Sequence, residues 1–150
     1  MKVYQVPKDT PSKTRVAIMR LMMEQMNALG DLIHEEDLLK TIDLALSDRS
    51  GAEFFVAEAD SQIIGCAYFN IGISLEKGGH YIWLNDLYVK RDERQKGIAK
   101  RLLLHVLHWA EQNDLKGIEL ETGINNAATK KLYNSLGFYD IVSKRYGRVI

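Results

Sequence analysis

The sequence predicts an α/β fold of the α+β kind: a mixed central sheet of about six to seven strands with four helices flanking it on both faces. Three observations carry this expectation. Runs of branched and aromatic residues alternate with segments that are apolar at helical spacing, in the order β-α-α-β-β-β-α-β-α-β with one further strand at the end. Strands that lead into strand–helix–strand units require a sheet covered on both sides. The 150 residues are 46% hydrophobic and 27% charged, an ordinary globular composition with enough chain for one sizeable core and a single domain over residues 1–150.

Each element follows from its own residues. Lys2–Val6 alternates as a short first strand, and Pro7 and Pro11 frame a turn. Ser12 or Thr14 caps a helix running to about Leu29; its Val16, Met19, Leu21, Met22, Met23 and Met26 suit a core or groove lining. Gly30 ends it. A second helix covers about His34–Leu46, with Leu38, Leu39, Ile42 and Leu46 on one face. After a turn over Asp48–Gly51, EFFVAEA and QIIGCAYFNIGIS form two strands around Asp60-Ser61, a hairpin turn lacking the usual glycine. Gly65 and Gly72 inside the second strand indicate close backbone approach or a bulge. Glu76–Gly79 is a loop and Tyr81–Val89 the fourth strand. Gln95 to about Gln112 is a third helix, with Ile98, Leu102, Leu103, Val106 and Trp109 at helical spacing. Lys116–Thr122 is a fifth strand. Asn126 to about Leu136 is a fourth helix stopped by Gly137, and Phe138–Val142 and Tyr146–Val149 are final strands.

Charge and cysteine content narrow the function. Lysine plus arginine equals aspartate plus glutamate, so net charge is zero, which argues against a nucleic-acid partner. The distribution is uneven. Nine acids against Lys40 and Arg49 lie between Asp31 and Asp60, and six bases against Asp92 and Glu93 lie between Lys90 and Arg101. One region attracts cations and the other anions, unless both are solvated helix faces. No apolar run approaches the roughly 18 residues of a membrane span, and no secretory leader is visible, so no membrane partner is expected. Cys66 is the only cysteine; it excludes an internal disulfide and fits a reducing cytoplasm. Within IIGCAYF it reads as a buried small hydrophobe rather than a nucleophile. His105 and His108 lack partners spaced to complete a metal site, so no metal is expected.

The chemistry gathers in two stretches. In the first, the apolar run of Tyr81–Val89 stops at a basic turn, Arg94-Gln95-Lys96-Gly97-Ile98-Ala99, and a helix begins. Gly97 and Ala99 are small where backbone must approach a ligand, and Arg94, Lys96 and Lys100 add charge to the N–H groups of a helix start, a place for a pyrophosphate. Neither G-x-x-x-x-G-K-[ST] nor G-x-G-x-x-G is present, against a nucleotide-binding protein. In the second stretch, Asn126 and Tyr133 are seven residues apart, about two helical turns, and share a face. Asn126 can cap the helix or meet a ligand amide. Tyr133 can offer its phenol to a leaving group or serve as an aromatic core residue.

Taken together, DLYV before the turn, the R-x-x-G-x-A of Arg94, Gly97 and Ala99, and the pattern of Asn126, Leu132, Tyr133, Gly137 and Phe138 resemble the GNAT superfamily of acyl-CoA-dependent N-acetyltransferases. WLNDLYV and LYNSLGF look closest to its polyamine and diamine branch. The resemblance implies a mostly antiparallel sheet, acetyl-CoA as co-substrate, a small-molecule primary amine as acceptor and a homodimer. It implies that the backbone of Leu87, Tyr88 and Val89 pairs with the pantetheine amides, and that N–H groups from Gln95 through Lys96, Gly97, Ile98 and Ala99 to Lys100 hold the pyrophosphate. Asn126, with Thr129 beside it, would contact the pantetheine arm, and Tyr133 would protonate the departing thiolate after direct attack by the amine. Glu35, Glu36 and Asp37 on the second helix become candidate attractors of a cationic substrate.

Two positions depart from the pattern. Thr129 stands where many relatives have a smaller residue, and Asn85 where the polyamine branch carries glutamate. An amide accepts no proton at neutral pH, so the base role passes to Asp86, to Glu119, to Glu121 or to water, with Glu121 the first choice, or else the amine arrives already neutral. Asn85 and Asp86 are then expected to line the acceptor site. The alternatives are a non-catalytic acyl-CoA sensor, for which Asn85 is the support, and a transferase acting on protein or peptide amines.

Overall fold

A computed structural model of the chain describes residues 1–123 and 126–150. Ten regular elements carry it, if the one-turn 3-10 helix Arg91–Glu93 is counted. Strands β1 (Lys2–Gln5), β2 (Ala52–Ala59), β3 (Gln62–Ser74), β4 (Gly79–Val89) and β5 (Ile118–Leu120) form one sheet in sequence order. The first four are antiparallel neighbours and β5 runs parallel to β4. Helices α1 (Ser12–Ala28) and α2 (Glu35–Ala45) lie between β1 and β2 in sequence; α3 (Ile98–Gln112) connects β4 to β5, and α4 (Ala127–Ser135) follows.

The sheet separates two apolar layers. Ile18, Met19, Leu21 and Met22 of α1 and Leu38 and Ile42 of α2 pack with Phe54, Val56, Cys66 and Tyr88 on one face. Ile98, Leu102, Leu103 and Val106 of α3 pack with Phe55, Ala57, Phe69, Ile82 and Leu84 on the other, with Tyr133, Leu136 and Phe138 at the margin of that layer. Helical periodicity gives α3 one face to bury, whereas β2 and β3 bury both faces, Phe54 and Val56 in one layer and Phe55 and Ala57 in the other, with about 1.5–3 kcal/mol per large side chain. Gly65 lets α3 come close, because a Cβ there would lie 3.0 Å from Leu102 Cδ1 and 3.2 Å from Ile98 Cγ2.

Several expectations hold and several need correction. The Asp60-Ser61 turn forms without glycine, with φ of 50° and 62° at the two residues. The third helix starts at Ile98 rather than Gln95, because Gln95 (φ 62°) and Gly97 (φ 75°) sit in the left-handed region, which cannot continue a right-handed helix. The fifth strand keeps only Ile118–Leu120 of the expected Lys116–Thr122. The two strands expected over Phe138–Val142 and Tyr146–Val149 do not form, so the sheet has five strands among the described residues rather than six or seven. With three residues, β5 offers too short an edge to seed further pairing, and no layer covers the apolar positions of the tail: Tyr139, Val142, Tyr146 and Val149 are exposed. The class of the fold is nevertheless the expected one, a mixed and mostly antiparallel sheet with four helices. No helix among the described residues is long and apolar enough to cross a membrane.

Candidate active site

The site begins with a one-residue slip in the sheet. Phe69 pairs with Leu84 and Tyr68 with Asp86, which leaves Asn85 as an extra residue in β4. A bulge of this kind reverses the phase of the strand beyond it. Leu84 consequently points into the α3 layer, while Asp86 points to the α1–α2 side, among Met22, Ile42 and Tyr68. Asn85 itself is exposed, and its Oδ1 accepts from Asn70 Nδ2 at 2.9 Å.

The second feature is a splay. β5 pairs with β4 only at Ile82, Trp83 and Leu84, so from Asn85 onward β4 leaves its parallel neighbour. Between them opens a notch of about 310 Å³. Asn85, Asp86 and Leu87 line one side, Leu120, Glu121 and Thr122 the other; Asn126, Thr129 and Tyr133 close it from α4, and Gln25 and Leu29 from α1. Tyr88 and Val89 continue β4 past the notch and are buried. Asn126 caps α4, its Oδ1 accepting from the Thr129 N–H at 3.2 Å, which leaves its amide nitrogen free of that bond. Tyr133 packs edge-on against Phe138 with ring centroids 5.5 Å apart, and among the described residues its phenol has no hydrogen-bond partner. Burial raises the Tyr133 phenol above its ordinary value, so it holds its proton throughout the neutral range.

At the far end of β4 lies the basic turn. Arg94 folds back, donating from Nε to the Val89 carbonyl at 3.1 Å and setting its guanidinium over the Tyr88 ring at 5.2 Å. The turn is thereby tied to the strand end. Lys96 pairs with Glu93 at 2.7 Å, and Lys100 is exposed. Ile98 anchors the helix start in the core. Among the described residues, none of the backbone N–H groups from Gln95 to Lys100 has a hydrogen-bond partner, and α3 carries no side-chain cap. Left-handed backbone, as at Gln95 and Gly97, can turn neighbouring N–H groups toward one side, where an anion can be held.

The candidate bases fare differently. Glu121 lines the notch but accepts from Arg145 Nη1 at 2.5 Å, and Glu119 faces Lys77 at 3.8 Å. Asp86 faces no cation among the described residues; burial raises its carboxyl above the ordinary aspartate value, partly opposed by the Gln25 amide as a donor. Glu35, Glu36 and Asp37 form the first turn of α2, are exposed and line neither the notch nor the apolar cavity beside it. Gln25 escaped the sequence reading. Its signal was a polar residue within LMMEQM, three after Met22 and on the buried side of that helix. Cys66 is fully buried, and burial, with Asp86 nearby, pushes its thiol up and keeps it un-ionised. No group of three His, Cys, Asp or Glu residues that could hold a metal occurs among the described residues.

Comparison with known proteins identifies the family. The chain is 29% identical over 124 residues to an IAA acetyltransferase of Azospirillum brasilense, covering 83% of this chain and 78% of that protein. It is 29% identical over 87 residues to an aminoglycoside N(6')-acetyltransferase type 1 of Salmonella typhimurium, covering 56% of this chain and 60% of that protein's length. The crystal structure of a probable acetyltransferase superposes with a TM-score of 0.87 at 23% identity, over 100% of this chain and 98% of that one. None of these is named for a polyamine or diamine, so the narrower branch gains no support from them. Residues 16–138, from the first helix to the end of the Tyr133 stretch, match the acetyltransferase (GNAT) family, and the chain belongs to that family of N-acetyltransferases.

Proposed function

We propose that this acetyltransferase transfers an acetyl group from acetyl-CoA to the primary amine of a small cationic molecule, by direct attack in the β4–β5 notch. The observation that supports this most is the continuity of the site. A notch closed by Asn126 and Tyr133, a strand edge from Leu87 to Val89 that β5 does not pair, and a turn from Gln95 to Lys100 with unpartnered N–H groups follow one another from β4 into α3. The unpartnered N–H groups of the turn fit a pyrophosphate, the strand edge fits the amides of a pantetheine arm, and the free side of Asn126 fits the same arm.

Bound there, acetyl-CoA supplies an activated acetyl carbonyl next to a thiol leaving group. Asp86 takes a proton from the incoming ammonium and so frees the lone pair that forms the new C–N bond. Tyr133 gives its phenolic proton to the sulfur as the C–S bond breaks, and the second nitrogen proton returns through the notch to the phenolate or to water. The raised phenol suits an acid that must arrive protonated. The base role moves from Glu121 to Asp86 because Glu121 is held by Arg145. Tyr133→Phe should lower kcat by about 10²–10⁴-fold while the Kd for acetyl-CoA stays within about twofold, read by thiol release and calorimetry. Unchanged turnover would remove Tyr133 from the mechanism.

We place this chemistry in the cytoplasm, where the one free, buried thiol of Cys66 needs no oxidising surroundings. We also propose a homodimer, in which the exposed apolar tail of Tyr139, Ile141, Val142, Tyr146, Val149 and Ile150 meets a second copy.

A further inference from the structure

Behind Asp86, on the side away from β5, lies a second cavity of about 90 Å³ between α1, α2 and the sheet. Met22, Met26, Leu38, Ile42, Ala45 and Phe54 line it with carbon and sulfur. Its two uncharged polar neighbours each make one hydrogen bond outside it. Thr41 Oγ1 donates to the Asp37 carbonyl at 2.9 Å, and the Tyr68 hydroxyl accepts from Asn70 Nδ2 at 3.2 Å. The Asp86 carboxylate is therefore the only charged group facing this space among the described residues, and Asp86 alone lines both the cavity and the notch. A further observation points to a missing donor at the same place. Gln25 Oε1, on the α1 wall of the notch, is buried and has no hydrogen-bond partner among the described residues, a condition proteins rarely tolerate.

We propose that the acceptor is a monoamine with a short apolar tail, its nitrogen held between Asp86 and Gln25 Oε1 and its tail in the Met22–Met26–Ile42 cavity. This rests on the acetyl-transfer reading above and narrows it. The ammonium gives Asp86 its counter-ion, and an N–H fills the orphaned acceptor of Gln25. The volume sets the length of the tail. A cavity of about 150 Å³ takes the six carbons of benzene, so about 90 Å³ takes three to four. A polyamine would have to leave its second ammonium in a space with no second carboxylate, which is costly. An aminoglycoside exceeds the cavity altogether. The acids that begin α2 lie outside, so they do not select a polycation at this position.

The test is thiol release by the full chain with saturating acetyl-CoA over ethyl-, propyl-, butyl-, pentyl- and octylamine, beside spermidine and kanamycin. The expected result is a kcat/KM that climbs about fourfold per methylene up to butylamine and then falls. Ala45→Leu should move the optimum to ethylamine or propylamine, and Met26→Ala should move it to longer chains. Acetyl-CoA affinity, measured on each variant, reports that the fold and the donor site are intact. A rate independent of chain length, or a preference for spermidine or kanamycin that neither variant alters, overturns the apolar tail and leaves acetyl transfer standing. Tight acetyl-CoA binding with no thiol release on any amine overturns both.

Discussion

At the scale of single residues, Asp86 carries most of the inference. Its chemistry was visible in DLYV, but its orientation was not. Strict alternation would set Asp86 on the same side as Leu84; the extra residue at Asn85 turns it to the opposite face. Once there, it is a carboxyl in apolar surroundings, and burial raises it. The folded state then holds that proton to a higher pH than the unfolded chain does. Stability from this group is full below about pH 4 and is lost as pH rises through the raised folded value. Asp86→Asn should therefore melt above the wild type at pH 8, by on the order of 2–4 °C, with the gap closing towards pH 4. Amine acetylation should fall by at least about 10²-fold at the same time. Thermal melts at both pH values and the thiol assay read both effects; a variant that melts lower at pH 8 would contradict burial as the cause. Tyr133 was easier to read, since seven residues of helix place it beside Asn126 without any help from the rest of the chain.

At the scale of elements, local chemistry was the reliable guide. Helices α1, α2 and α4 and strands β2 and β3 fall within about two residues of their expected bounds, because caps, periodicity and turn residues act over a few positions. The start of α3 shows the limit. Charge and spacing allow a helix from Gln95, yet the turn needs left-handed backbone at Gln95 and Gly97 before the helix can begin. At Gly97 a Cβ would meet nothing within 4 Å, so substitution costs backbone strain and no clash. Gly97→Ala should cost about 1–2 kcal/mol of stability by urea titration. The Kd for acetyl-CoA should rise severalfold as the N–H groups lose their alignment. An alanine variant with wild-type affinity would mean that the turn does not hold the pyrophosphate.

Over the whole molecule, the β4–β5 splay and the tail are the two features that no local pattern contains. The splay exists because β5 stops after three ladder positions while β4 runs on for five residues. The tail stays outside the sheet, and Arg145 reaches from it to Glu121 and over the Trp83 ring at 5.4 Å. Deleting residues 143–150 removes almost no buried surface, so the melting temperature should change by no more than about 2 °C. In light scattering the full chain should be a dimer and the truncated chain a monomer. A truncated chain that stays dimeric would place the interface elsewhere.

The amino-acid sequence by itself determined the features we propose for the donor side: the order of the elements, the turn from Arg94 to Lys100 and the Asn126–Tyr133 face. Those features are local, written in spacings of a few residues. Only the tertiary structure distinguishes the carboxylates we propose for the acceptor side. Which carboxylate stands free depends on Arg145 meeting Glu121 across 24 positions, and the setting of Asp86 depends on Gln25 of α1 and Asp86 of β4 lining one notch. The face Asp86 presents depends on one residue of register between β3 and β4. Periodicity cannot encode such relations, because they arise where distant segments pack.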